Sequence, residues 1–179
     1  RQGKLLYQEP DLVRRVIREE FNKEYRGIVI DDLALYESTR AYVEAMALNL
    51  VMKPWAYDVL ITENMFGDIL SDLIAALAGG MGMAPSADSG DDYALFQPAH
   101  GTAPDIAGQG IANPTATILS ATMMLDWLAQ RHGDAALSDG ARAIEASLAA
   151  AFATGRVRPR EFGGSSGTAD IVRAVIEGL

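Results

Sequence analysis

The sequence has no cysteine, two histidines, two tryptophans and fewer basic than acidic residues. Without cysteine there is no disulfide framework and no thiolate metal site, which fits a reducing compartment. With so few histidines and no GxSxG pattern, a nucleophilic triad has little to be built from, and a hydrolase is a poor reading. The 15 Lys+Arg against 24 Asp+Glu leave a net charge of −9 and no basic stripe, which argues against nucleic acid and anionic membrane as partners. No apolar run is long enough to span a bilayer and no signal-peptide pattern is read, so a soluble cytoplasmic protein is expected.

What is present makes an ordinary globular chain. Of 179 residues, 49% are hydrophobic and 22% charged, enough for a sizeable core in one domain or in two small halves. The chain opens Arg1-Gln2-Gly3-Lys4 and passes almost at once into helix-like sequence. It reads as a piece of something longer, although processing would give the same start.

Behind Pro10, which suits a first helical position, Leu12, Val13, Val16, Ile17 and Phe21 form an apolar stripe, so a helix is expected over 10–24. A short β-rich run follows at 27–30. A second helix is expected over 39–52, ending before Lys53-Pro54 because proline disfavours helix in the residue preceding it. The nearly continuous apolar run 57–62, Tyr-Asp-Val-Leu-Ile-Thr, is how a strand buried on both faces reads. It leads into a helix over 68–78 that Gly79-Gly80 stops. Residues 81–110 are rich in glycine, proline and aspartate, with one strand over 93–97; such loops commonly carry function. Asn113 reads as the N-cap and Pro114 as the first residue of a helix to 129. Further helices are expected over 135–153 and from the glycine-rich stretch 163–168 to 178. Alternating strands and helices make the class α/β.

Asp68 and Asp72 are the sharpest chemical signal. At i and i+4 of a helix both carboxylates leave one face, with Cβ atoms roughly 5–6 Å apart and a mutual repulsion of roughly 0.2–0.5 kcal/mol. Spacing alone favours a plain reading, with Asp68 capping the helix and Asp72 a solvated acid of the first turn. Position favours another, because ligands of open α/β sheets gather at the carboxyl ends of strands, and Mg²⁺ takes one or two carboxylates there. His100 lies in Pro98-Ala99-His100-Gly101-Thr102-Ala103-Pro104-Asp105, where dense Gly/Pro punctuation suggests backbone shaped to approach a ligand. A hydrogen-bonded turn histidine is the plainer alternative. Asp105 is a candidate acceptor for a ribose diol. His132 reads as an exposed loop residue, and the stripe Met123, Met124, Leu125, Trp127 and Leu128 as core. Gly79-Gly80-Met81-Gly82 and Gly163-Gly164-Ser165-Ser166-Gly167 are neither GxGxxG nor a phosphate loop, so any dinucleotide would bind in a non-Rossmann manner.

Taken together, the motifs resemble one family. Asn64-Met65-Phe66-Gly67-Asp68-Ile69-Leu70-Ser71-Asp72 resembles the signature of the β-decarboxylating dehydrogenases, which act on isopropylmalate, isocitrate, homoisocitrate and tartrate/D-malate. His100-Gly101-Thr102-Ala103-Pro104-Asp105-Ile106-Ala107-Gly108, followed by Ile111-Ala112-Asn113-Pro114, resembles the family's nucleotide loop. Gly163 to Thr168 resembles its C-terminal glycine-rich stretch. The likeness is strong from Tyr42 to the end and looser before it.

The resemblance implies an isopropylmalate-dehydrogenase-like, non-Rossmann α/β/α sandwich whose N-terminal half is missing here. Residues 1–78 would belong to a dimerisation and metal-substrate domain, and 79–179 to a nucleotide-binding domain. Asp68 and Asp72 would ligate Mg²⁺ or Mn²⁺, with Glu44 standing where the partner subunit of a homodimer gives an aspartate. Lys4 falls where the family has its catalytic lysine. His100, Gly101, Thr102, Ala103, Asp105, Ile106 and Asn113 would hold the cofactor. Members preferring NADP tend to carry Lys-Tyr in place of Asp105-Ile106, so NAD is implied. The expected reaction is oxidative decarboxylation of a malate-type hydroxy acid, with 3-isopropylmalate and leucine biosynthesis the leading choice. Isocitrate, homoisocitrate and tartrate/D-malate are the alternatives, and a non-catalytic, nucleotide-binding relative is an alternative of another class.

Several residues depart from the family pattern. Glu44 adds a methylene to the usual aspartate, Leu6 replaces an asparagine, and Gln97 replaces a glutamate near the nicotinamide. The stretch 22–39 is longer than usual. The substrate arginines, the general-acid tyrosine and the substrate-selective loop have no counterpart in these residues, so the chain alone is expected to be an inactive fragment.

Overall fold

Val43, Met46, Ala47 and Leu50 recur at helical spacing and turn one apolar stripe towards a small core, and the helix that carries them is α1 (Val43–Met52). The structure is a computed structural model and describes residues 4–5, 41–57, 60, 62 and 64–179. The helix expected over 10–24 and the β-rich run at 27–30 lie outside them. The chain divides into two compact units, Arg1–Ile74 and Ala75–Leu179.

In the first unit, β1 (Lys4–Leu5) and β2 (Ala41–Tyr42) pair antiparallel, with Lys4 opposite Tyr42. That pairing keeps Tyr42 extended, which is why α1 starts at Val43 and not at 39. The second helix, α2 (Asn64–Leu77), begins before Asp68. Gly67 lies inside its opening turn and does not precede it; a Cβ there would come within 2.6 Å of Thr62 Oγ1. At the other end Gly79 and Gly80, at φ 114° and 102°, stop the helix as expected. Met46, Leu50 and Leu70 form the buried core, with Tyr57, Leu60 and Leu73 packed on it.

The strand expected over 57–62 is not found at its described residues. Tyr57, Leu60 and Thr62 join no ladder, and Tyr57 and Leu60 instead lend their side chains to the helical core. A strand persists only where a neighbour takes up its N–H and C=O groups, and among the described residues none runs alongside.

The second unit opens with a hairpin where mostly loop was expected. β3 (Pro85–Ser89) and β4 (Ala94–Pro98) pair antiparallel, Ala87 opposite Phe96. The hairpin packs on α3 (Thr115–His132): Ser120 Oγ donates to Gln97 O at 2.8 Å, and Phe96 meets Trp127 edge-on at 6.2 Å. α3 runs past 129 to His132, so His132 is helical, and Gly133 in the left-handed region ends it. α4 (Ala135–Ala153) has its expected bounds, with Asp134 Oδ1 capping Ala136 N at 3.0 Å. α5 (Thr168–Ile176) closes the unit. Leu148, Ala151, Val157, Ile171, Ala174 and Val175 form its core. Met123 and Met124, expected in the core, are partly exposed at 37% and 39%.

Candidate active site

The acidic pair stands on the side of α2 away from the core. Each helical residue advances by ~100°, so Asp68 and Asp72 lie ~200° from Leu70, which is 1% exposed. Among the described residues neither carboxylate has a hydrogen-bond or ion-pair partner; Ser71 Oγ donates only to the backbone O of Asp68, at 3.0 Å. The capping role considered for Asp68 is overturned, since α2 starts at Asn64 and the pair sits one turn inside it. Two adjacent, uncompensated carboxylates on an open face are the donor set a hard divalent cation takes, with water and substrate oxygens filling the remaining positions.

Glu44 is exposed in the first turn of α1, where a negative charge also suits the helix dipole. It does not join the pair: among the described residues no three His, Asp or Glu side chains are grouped to hold a metal. The β1–β2 register places the Lys4 backbone opposite Tyr42, two residues before Glu44 in the chain, so both candidates fall at the start of α1.

The second cluster is the loop between β4 and α3. His100 Nδ1 lies 2.8 Å from Gly101 O; a carbonyl can only accept, so Nδ1 carries the proton and Nε2 is left for a ligand. Ala103 is the one non-glycine described residue with positive φ, at 41°, a strain of about 1–2 kcal/mol that the loop sustains. Behind it Pro104–Ile106 forms a 3₁₀ turn that exposes Asp105, whose backbone O accepts from Gln109 Nε2 at 2.9 Å. Gly101 and Thr102 are exposed, and a Cβ on Gly101 would meet no atom within 4 Å. Packing within the chain therefore leaves space at Gly101.

Asn113 is the best-anchored member. Its Oδ1 accepts from Thr115 N at 3.1 Å, the expected cap displaced by one residue, and Nδ2 donates to Glu161 Oε1 at 2.7 Å and meets Met83 Sδ at 3.3 Å. The carboxamide is thus committed inward, leaving the backbone of the loop for recognition. Glu161 carries no motif that marks it in the sequence, and Thr168 is marked only as the last residue of the glycine-rich stretch. Thr168 N donates to Gly110 O at 2.9 Å and its Oγ1 to Ala112 O at 2.5 Å, which ties the loop's exit to the glycine-rich stretch. The only sequence signal for both is the unexplained density of glycines there. Gly164 and Gly167 are required by close backbone approach, to Arg158 and to Gly110 O, not as a phosphate cradle.

A family model described as isocitrate/isopropylmalate dehydrogenase matches residues 6–175. The isocitrate/homoisocitrate dehydrogenase of Thermus thermophilus is 45% identical over 151 residues, 84% of this chain and 43% of that protein. The 3-isopropylmalate dehydrogenase of Deinococcus radiodurans is 42% identical over 170 residues, 94% of this chain and 44% of that protein. The crystal structure of isocitrate dehydrogenase from Methylococcus capsulatus superposes with a TM-score of 0.71 at 41% identity, over 90% of this chain and 44% of that one. The chain belongs to the isocitrate/isopropylmalate dehydrogenase family and has its α/β fold. It spans less than half the length of these relatives.

Proposed function

We propose that the chain forms part of an NAD-dependent, Mg²⁺- or Mn²⁺-dependent dehydrogenase that oxidises and decarboxylates a malate-type 2-hydroxy acid, with 3-isopropylmalate the leading substrate. Isocitrate and homoisocitrate stay as alternatives because relatives named for each are of similar identity. The observation that carries the reading is the uncompensated pair Asp68 and Asp72, a like-charged arrangement that metal binding explains. When bound, the cation would supply Lewis acidity at the substrate oxygens and the nicotinamide would supply the hydride acceptor. Asp68 and Asp72 hold the α-hydroxy acid end by way of that charge, and Glu44 completes the set from the second subunit of a homodimer. Lys4 takes up the hydroxyl proton. His100, Gly101, Thr102, Ala103, Asp105, Ile106 and Asn113 hold the adenosine half of the cofactor, with Asp105 accepting from the ribose diol and repelling a 2′-phosphate. Residues 1–78 serve substrate, metal and dimer, and 79–179 the nucleotide. A cytoplasmic location goes with this role.

The exposed Leu48, Val51 and Met52 of α1 and Met65 and Ile69 of α2 support a subunit interface on these helices. Glu44, Leu6 and Gln97 favour a second reading, a non-catalytic nucleotide-binding relative. The test is NADH formation by the full-length protein with isopropylmalate, isocitrate, homoisocitrate, tartrate and malate, with Mg²⁺ and with a chelator. One substrate is turned over only with metal, and Asp68→Asn or Asp72→Asn lowers kcat/KM by at least about 100-fold. Silence across the panel from a folded dimer selects the second reading.

A further inference from the structure

We propose that Glu161 is a positioning residue for the nucleotide loop, acting through Asn113; the inference rests on the assignment of that loop to NAD. Three segments distant in sequence meet at this point. Asn113, 9% exposed, precedes α3; Glu161 lies on the 3₁₀ turn Arg160–Phe162; Gly82 belongs to the turn Met81–Met83. The orientation of the Asn113 amide follows from the backbone: Thr115 N can only donate, so Oδ1 must face it and Nδ2 must face Glu161. The 2.7 Å bond from Nδ2 to Glu161 Oε1 is therefore a charge-assisted one, the stronger kind. Glu161 is itself held, because its turn is closed by Phe162 N to Pro159 O at 3.1 Å and Gly163 N to Arg160 O at 2.8 Å. A Cβ at Gly82 would come 2.9 Å from Glu161 Oε1 and 3.2 Å from Asn113 Cβ, so a side chain there displaces the carboxylate from the amide.

Without the carboxylate, a nearly buried amide N–H loses its charged acceptor, and the carboxamide is left with the bond from Thr115 N and the weaker contact of Nδ2 with Met83 Sδ. The backbone at Asn113 then loses the strongest of the anchors that set its shape towards the nucleotide. Glu161 needs no contact with the cofactor to have this effect.

The test is calorimetric titration of the full-length protein with NADH. Glu161→Ala raises Kd about tenfold, whereas Glu161→Gln, which keeps an acceptor, stays within about threefold. Because Glu161 acts through Asn113, the double variant with Asn113→Ala binds no more weakly than Asn113→Ala alone. Gly82→Ala, which crowds the same pair without removing either group, gives a comparable rise and carries the test if Glu161→Ala does not fold. An unchanged Kd in Glu161→Ala, with Asn113→Ala weakened, overturns the role of Glu161 and leaves the nucleotide site standing. Full additivity in the double variant, or equal losses in the Ala and Gln variants, overturns it too. An unchanged Kd in Asn113→Ala overturns this inference alone, whereas failure of the unsubstituted protein to bind NADH removes the nucleotide assignment and this inference with it.

Discussion

At the scale of single residues, the chemistry of the acidic pair is legible in the sequence alone, because i, i+4 spacing puts two carboxylates on one helical face whatever the helix packs against. Its place in the helix is not: Gly67 has the look of a helix boundary and instead lies inside the opening turn, where a Cβ would meet Thr62 Oγ1. Asn113 shows the same division. Its capping habit is local and visible in the sequence, but its bond to Glu161 spans 48 residues and depends on where the chain returns. Asp105 supports a prediction at this scale. Its exposed carboxylate would face a 2′-phosphate with like charge, so Asp105→Lys combined with Ile106→Tyr should reverse the ratio of NADH to NADPH affinity by roughly 100-fold. Dissociation constants for the two dinucleotides measure it, and an unchanged ratio removes Asp105 from the site.

At the scale of elements, helices with their own punctuation match their sequence signals. α4 has an Asp134 cap at its start and the expected bounds; α1 ends before Lys53-Pro54 as expected. β3 escapes a sequence reading because Pro-Ser-Ala-Asp-Ser has little strand propensity, and only pairing with β4 and packing on α3 make it a strand. The glycine-rich stretch yields a contrast between two substitutions. A Cβ at Gly164 would overlap the Arg158 carbonyl, and Ser166 N donates to that same oxygen at 3.0 Å. Gly164→Ala should cost about 1–3 kcal/mol in a denaturant titration, while Gly101→Ala, with open space around it, should stay within about 0.5 kcal/mol. Equal effects would mean that the bend at 158–166 is not held by this contact.

At the scale of the whole molecule, the governing fact is that the chain spans less than half of its relatives. Each unit has a core, yet large apolar side chains remain exposed: Leu48, Met52 and Trp55 at 63%, 66% and 80%, and Tyr93 and Leu95 at 85% and 57%. A soluble monomer seldom leaves so much apolar surface to water. A polypeptide of these 179 residues alone should therefore bind a hydrophobic dye, self-associate and turn over none of the hydroxy acids. A monodisperse monomer with a sharp thermal transition would contradict this. Among the described residues no helix is long and apolar enough to cross a membrane, so these faces are not accounted for by a helical span.

By itself the sequence determined what depends on neighbours along the chain: helix caps and stops, the facing of Asp68 and Asp72, and motifs dense enough to identify the family. Those features follow from the 3.6-residue period and from local hydrogen bonding, which need no distant partner. Tertiary structure alone decided that residues 57, 60 and 62 join no ladder, that 85–89 form a strand, and that Glu161, Gly82 and Thr168 lie against the loop before α3. The strand at 85–89 depends on its hairpin partner 94–98 and on α3 behind it, and the other outcomes on segments that meet from far along the chain; such pairing leaves no periodic trace in sequence.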